Sequence, residues 1–145
     1  MNTKHEQKTI ILKNYKINVD DGIAELVKLL NQLGITTLFS CQGYFDKEYS
    51  KTDKIEHIDS YIMMRVDNLA DLERLIPLFT MVKNTKCEVR KGINGMHGKW
   101  TLVLRPDFPI IPGGMPALIK FVKNWISELE NTVKFAILTN YNIEV

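Results

Sequence analysis

DDGIAELVKLLNQLGITTLFSCQG, residues 20–43, changes its hydrophobic period partway through, and that change decides the fold class. Ile23, Leu26, Val27, Leu30 and Leu33 recur at helical spacing. Asp20 or Asp21 can accept hydrogen bonds from the first unpaired amides, and Gly34 ends the run. From Ile35 onward the period falls to two, with Ile35, Thr37, Phe39 and Cys41 on one side and Thr36, Leu38 and Ser40 on the other. A helix therefore passes directly into a strand, and the strand runs out into the small and polar turn Ser40-Cys41-Gln42-Gly43-Tyr44.

Upstream, the β-branched and apolar run Thr9–Leu12 predicts a first strand after a polar tail, residues 1–8. Downstream, residues 46–56 carry seven charged side chains (Asp46, Lys47, Glu48, Lys51, Asp53, Lys54, Glu56), the composition of a solvated loop. Ser60–Val66 reads as a strand, and Asp67 or Asn68 can cap a second helix with the stripe Leu69, Leu72, Leu75, Ile76 and Phe79. Pro77 should kink or shorten that helix, because it removes an amide donor.

Lys86–Arg90 and Lys99–Arg105 predict paired strands joined by the glycine-spaced turn 92–98, with Pro106 and Pro109 ending the hairpin. Pro116 falls in the first turn of a last helix carrying Leu118, Ile119, Val122, Trp125, Ile126 and Leu129, and Val133–Leu138 reads as a returning strand. The order β-α-β-β-α-β-β-α contains a ferredoxin-like βαββαβ unit with an added strand and C-terminal helix. The expected fold is α+β: a single domain over residues 9–145 with a mostly antiparallel sheet and one open face.

With 145 residues, 45% of them hydrophobic, the chain can bury one core without staples. A net charge of +2 is far from the concentrated basic surface of a dedicated nucleic-acid binder, so nucleic acid is the less favoured partner. The polar opening Met1–Lys8 lacks the apolar run of a secretory signal. No stretch approaches the roughly 18 apolar residues of a membrane span, so a cytoplasmic protein without a membrane partner is expected. Two cysteines, Cys41 and Cys87, are too few for a disulfide scaffold and read as small core residues in a reducing compartment.

Only four of the nineteen basic residues are arginines, and alternation places three of them on the open sheet face. Arg65 falls with Tyr61 and Met63, Arg90 with Glu88, and Arg105 with Thr101 and Val103. Their planar forks suit phosphate or carboxylate, so with Tyr61 to stack they make a candidate site for an anionic, nucleotide-like ligand. The competing reading is a set of Glu-paired arginines on a solvated sheet, or a surface where two open faces meet in a homo-oligomer.

At the end of the opening stretch, Ser40, Cys41, Gln42, Gly43 and Tyr44 bring backbone amides, a hydroxyl and a thiol to a strand terminus where a ligand can approach closely. Asp20-Asp21-Gly22-Ile23, Leu30-Asn31 and Ile35–Gly43 resemble the helix, strand and turn of the wybutosine tRNA methyltransferases. They are also similar to small Gram-positive bacterial and phage proteins with a Gly-x-x-Thr-x-x-Ser-Cys-x-Gly segment. The likeness covers residues 20–44, with Tyr44 in place of the methyltransferases' arginine and one residue inserted between Thr37 and Ser40.

The resemblance implies a binding turn at Ser40, Cys41 and Gly43. Through the phage proteins it implies capture of a host immune nucleotide signal. S-adenosylmethionine-dependent methyl transfer, or another nucleotide modification, is the enzymatic alternative, and a protein-interaction module is the third. No resident cofactor is expected under the leading reading. Cys41 with His57 and Asp59 could form a nucleophile, base and orienter, but packing of a strand-end cysteine is favoured. No CxxC or HxxxH spacing supports a metal. Pro112-Gly113-Gly114-Met115-Pro116 reads as a helix cap in preference to an anion loop. Trp100 and Trp125 read as core residues.

Overall fold

A computed structural model describes residues 7–11, 16–41, 60–91, 100–107 and 112–139. Two strands open the chain, β1 (Gln7–Ile11) and β2 (Lys16–Asp20), paired antiparallel as a separate ribbon. A 3-10 turn at Asp21–Ile23 leads into α1 (Ala24–Gln32). β3 (Thr36–Cys41), β4 (Tyr61–Val66), α2 (Leu69–Thr80), β5 (Thr85–Lys91), β6 (Trp100–Pro106) and α3 (Gly114–Leu138) follow. The main sheet has the order β3-β4-β6-β5, antiparallel throughout. The expected α+β class holds. Its βαββαβ succession runs from β2 to β5, with β6 and α3 added, while β2 pairs with β1 outside the main sheet.

Helix α1 ends where the glycine predicts. Gly34 sits at φ 102°, its amide donating to the Asn31 carbonyl and the Ile35 amide to the Leu30 carbonyl, a Schellman close. Leu30 and Ile35 are both buried there, so the cap also directs the chain into β3. At the other end both aspartates lie ahead of the α-helix. Because β2 continues through Asp20 and a tight turn begins at Asp21, the N-cap position falls on Ile23.

Three further expectations change. The returning strand at Val133–Leu138 is the last part of α3: Val133 and Ala136 are buried at the spacing set by Ile126 and Leu129, and no glycine or proline lies between Ile126 and Leu138. Pro77 lies on the exposed side of α2, which nevertheless continues to Thr80, whose hydroxyl donates to the Ile76 carbonyl. Leu69, assigned to the α2 stripe, is 59% exposed; the buried side runs through Asp71, Leu72, Leu75, Leu78 and Phe79.

One hydrophobic cluster joins α1, α2 and α3 to the sheet residues Ile62, Met64, Val66, Leu102 and Leu104. All of these sheet residues share one face, so the helices cover that face. Trp125 belongs to the cluster and Trp100 and Cys87 pack against it. At the start of α3, Gly113 occupies the N-cap at φ 111°, where a Cβ would lie 2.9 Å from that of Ala117, which supports the capping reading of Pro112–Pro116. No helix among the described residues is long and apolar enough to cross a membrane.

Candidate functional site

The face turned away from the helices is organised by register. Directly opposed residues of antiparallel strands share a face. Met63 therefore lies beside Val103 and Val103 beside Glu88, while Arg65 lies beside Thr101 and Thr101 beside Arg90. Arg105 lies beside Lys86 on one side, and its guanidinium sits 5.4 Å from the centroid of the Tyr61 ring on the other. Arg65, Arg90 and Arg105 thus occupy one face, as alternation predicts. That face is not open throughout, because Thr101 and Val103 at its centre are buried and exposure is concentrated at its rim.

Glu88 organises the cations. Arg90 Nη2 donates to Glu88 Oε2 at 2.8 Å, while Arg105 Nε and Lys86 Nζ stand 3.8 and 3.9 Å from Oε1, at charge-contact range. The hydrogen bond from Arg90 is the main reason the Glu88 carboxyl is held below the usual carboxylate range. Partial desolvation opposes the shift, and the charges of Arg90, Arg105 and Lys86 add to it. Arg105 is the least exposed of the three cations, with its side chain at 27%, and the Tyr61 ring supports its planar group. Arg65 stands apart, bonded through Nε to Asp67 at 3.0 Å.

β3 brings its end to the Tyr61 side of this face. Cys41 pairs with Tyr61 and Ser40 with Ile62, while Thr36, at the start of the strand, pairs with Arg65. The strict alternation expected over Ile35–Cys41 is corrected by a bulge between Thr37 and Phe39, which shifts the pairing by one residue. Helix α1 fixes the strand on the near side of the bulge: Asn31 Nδ2 donates to the Val27 carbonyl at 2.8 Å and to Thr37 Oγ1 at 3.1 Å. Gln42, Gly43 and Tyr44 lie outside the described residues, as do His57 and Asp59, the charged loop 46–56 and the turn 92–98.

Comparisons with protein-family models, with curated proteins and with solved structures find no match to this chain.

The sequence places Glu88 with Arg90 but does not single out Lys86 as a site residue. Lys86 carries the same signal as Glu88 and Arg90, since residues 86, 88 and 90 alternate together on β5. The central place of Glu88 depends on β6 lying next to β5, which brings Arg105 to it. Chemically, the arrangement offers a planar aromatic surface, a guanidinium fixed above it and two further cations within reach of one carboxylate.

Proposed function

We propose that this protein binds an anionic, nucleotide-like ligand on the sheet face opposite the helices, at the end where β3 runs into Ser40–Tyr44. The observation that carries this reading is Arg105 held over Tyr61 beside the Lys86, Glu88 and Arg90 cluster. Glu88 holds the three cations together, so a phosphate arriving there meets positioned donors and less side-chain entropy remains to be lost. Arg90 spends one of its five N–H donors on the 2.8 Å bond to Glu88, and guanidinium groups recognise phosphate in forked geometry.

In this reading Tyr61 provides the stacking surface, and Arg105, Lys86 and Arg90 provide the charge. Arg65 is four residues along β4, about 13 Å away at strand rise, and reaches only the far end of an extended ligand. The backbone pairing of Cys41 with Tyr61 brings the end of β3 to this side of the site. Sequestration of an immune nucleotide signal is the biological role that the phage-protein likeness supplies for such a site.

Calorimetric titration with nucleoside mono-, di- and triphosphates and cyclic nucleotides tests the proposal. Saturable heat that weakens as salt is raised, and is lost in Arg105→Ala, is expected. A folded protein giving no heat with any of them overturns it.

A further inference from the structure

β5 is an edge strand: β6 pairs with one side of it, and among the described residues no strand pairs with the other. Its exposure is unusual for an element of a packed sheet. Val89, on the helix side, is 45% exposed, and Arg90 and Lys91 after it are exposed as well. Seven residues of extended backbone with an exposed β-branched residue form a template for strand addition.

The charges along β5 select what can be added. On the outer face the strand reads Lys86, Glu88, Arg90, alternating in sign at every second residue. Two copies related by a two-fold axis would pair antiparallel, and like charges placed directly opposite each other are unfavourable. An axis through Glu88 sets Glu88 against itself and Lys86 against Arg90, all like pairs. An axis through Val89 sets each Glu88 against Arg90 of the second copy and packs Val89 on Val89. An axis through Cys87 sets Lys86 against Glu88 but leaves Val89 facing Thr85.

We propose that the chain forms a two-fold dimer by antiparallel pairing of β5 with β5 of a second copy, in the register centred on Val89. That register covers the exposed valine and forms two cross-strand Glu88–Arg90 pairs. The two four-stranded sheets become one of eight strands, and the outer faces become continuous across the axis. The inference is independent of the ligand reading, because it is tested by mass and cross-linking without any ligand.

Light scattering on the full chain from micromolar to near-millimolar concentration should show the mass rising toward twice that of one chain. Glu88→Arg, a change on the sheet surface whose folding is checked by circular dichroism, should keep the protein monomeric over the same range. Adding Arg90→Glu restores both cross-strand opposite-charge pairs of the Val89 register, whereas an axis through residue 88 still sets arginine against arginine, so the double variant should dimerise again. In a Cys87→Ala background, Val89→Cys should form an intermolecular disulfide on mild oxidation. A wild-type chain that stays monomeric throughout overturns the proposal. So does a dimer indifferent to Glu88→Arg, or one whose cross-link forms through native Cys87 and not through Val89→Cys.

Discussion

The indole N–H of Trp125 on α3 donates to the hydroxyl oxygen of Thr85 at the start of β5, 2.8 Å away and 40 residues distant in sequence. Trp125 is buried, so its donor needs this acceptor, and the bond ties the last helix to the edge strand that carries Glu88 and Arg90. Thr85→Val keeps the shape and removes the acceptor. Leaving a buried donor unsatisfied costs about 1–3 kcal/mol, and chemical denaturation should show a loss of that size. Trp125→Phe in the Thr85→Val background should recover part of it if the orphaned N–H is the cause.

A second tie, from Asn31 to Thr37, connects α1 to β3 just before the bulge. Asn31→Ala and Thr37→Val each remove one partner and should cost about 0.5–1.5 kcal/mol, the net worth of an intramolecular hydrogen bond. Because both delete the same contact, the double variant should lose less than the sum of the two, which a double-mutant cycle measures directly.

Gly34 holds a left-handed backbone, and an alanine there places a Cβ against the neighbouring carbonyl. Gly34→Ala should cost about 1–2 kcal/mol. A thermal-melt series should show this loss, while Gly34→Asn, which tolerates the same φ better, should lose less.

Protonation of Glu88 has a defined sign. Its folded-state pKa lies below the ordinary carboxylate value, so the unfolded chain takes up a proton first as pH falls. The stabilisation is fully present above the unfolded value, about pH 4.3, and is lost as pH drops through the folded one. Wild type should therefore exceed Glu88→Gln in stability at neutral pH by a small, salt-sensitive margin that disappears in acid. The margin is small because the group is solvent-screened. Denaturation of both proteins across pH 2–7, at low and high salt, checks this.

Burial raises the Cys87 thiol above its ordinary range, consistent with its contact with the core. Near pH 8 the native protein should be alkylated at Cys87 more slowly than the denatured chain, because less thiolate is present. Mass spectrometry of peptides from timed iodoacetamide reactions gives the rate.

Much of this fold was legible because period and punctuation agreed. Ile23 to Leu33 followed by Gly34 could only be a capped helix, and the parity of Tyr61, Met63 and Arg65 against Ile62, Met64 and Val66 assigned the two sheet faces. β2 is hidden because Asp20 or Asp21 reads as a helix cap, although Lys16-Ile17-Asn18-Val19-Asp20 alternates polar and apolar. Val133–Leu138 resembles a strand taken by itself, but the buried stripe of α3 continues through it at Val133 and Ala136. The β3 bulge left no mark in the residue types. The arginine face was legible by parity alone; its organisation around Glu88 was not, because that depends on strand order, which no local pattern encodes.

Arg105 over Tyr61 is the proposed nucleotide-binding face. Its most direct test is isothermal titration of wild type, Arg105→Ala and Tyr61→Ala with the nucleotide and cyclic-nucleotide panel. Wild type should bind at least one member, with each substitution weakening it by roughly ten- to a hundred-fold, the loss of about 1.5–3 kcal/mol for a charge-assisted contact or a stacked base. Absence of binding by folded wild type, or binding unchanged in both variants, would contradict the account.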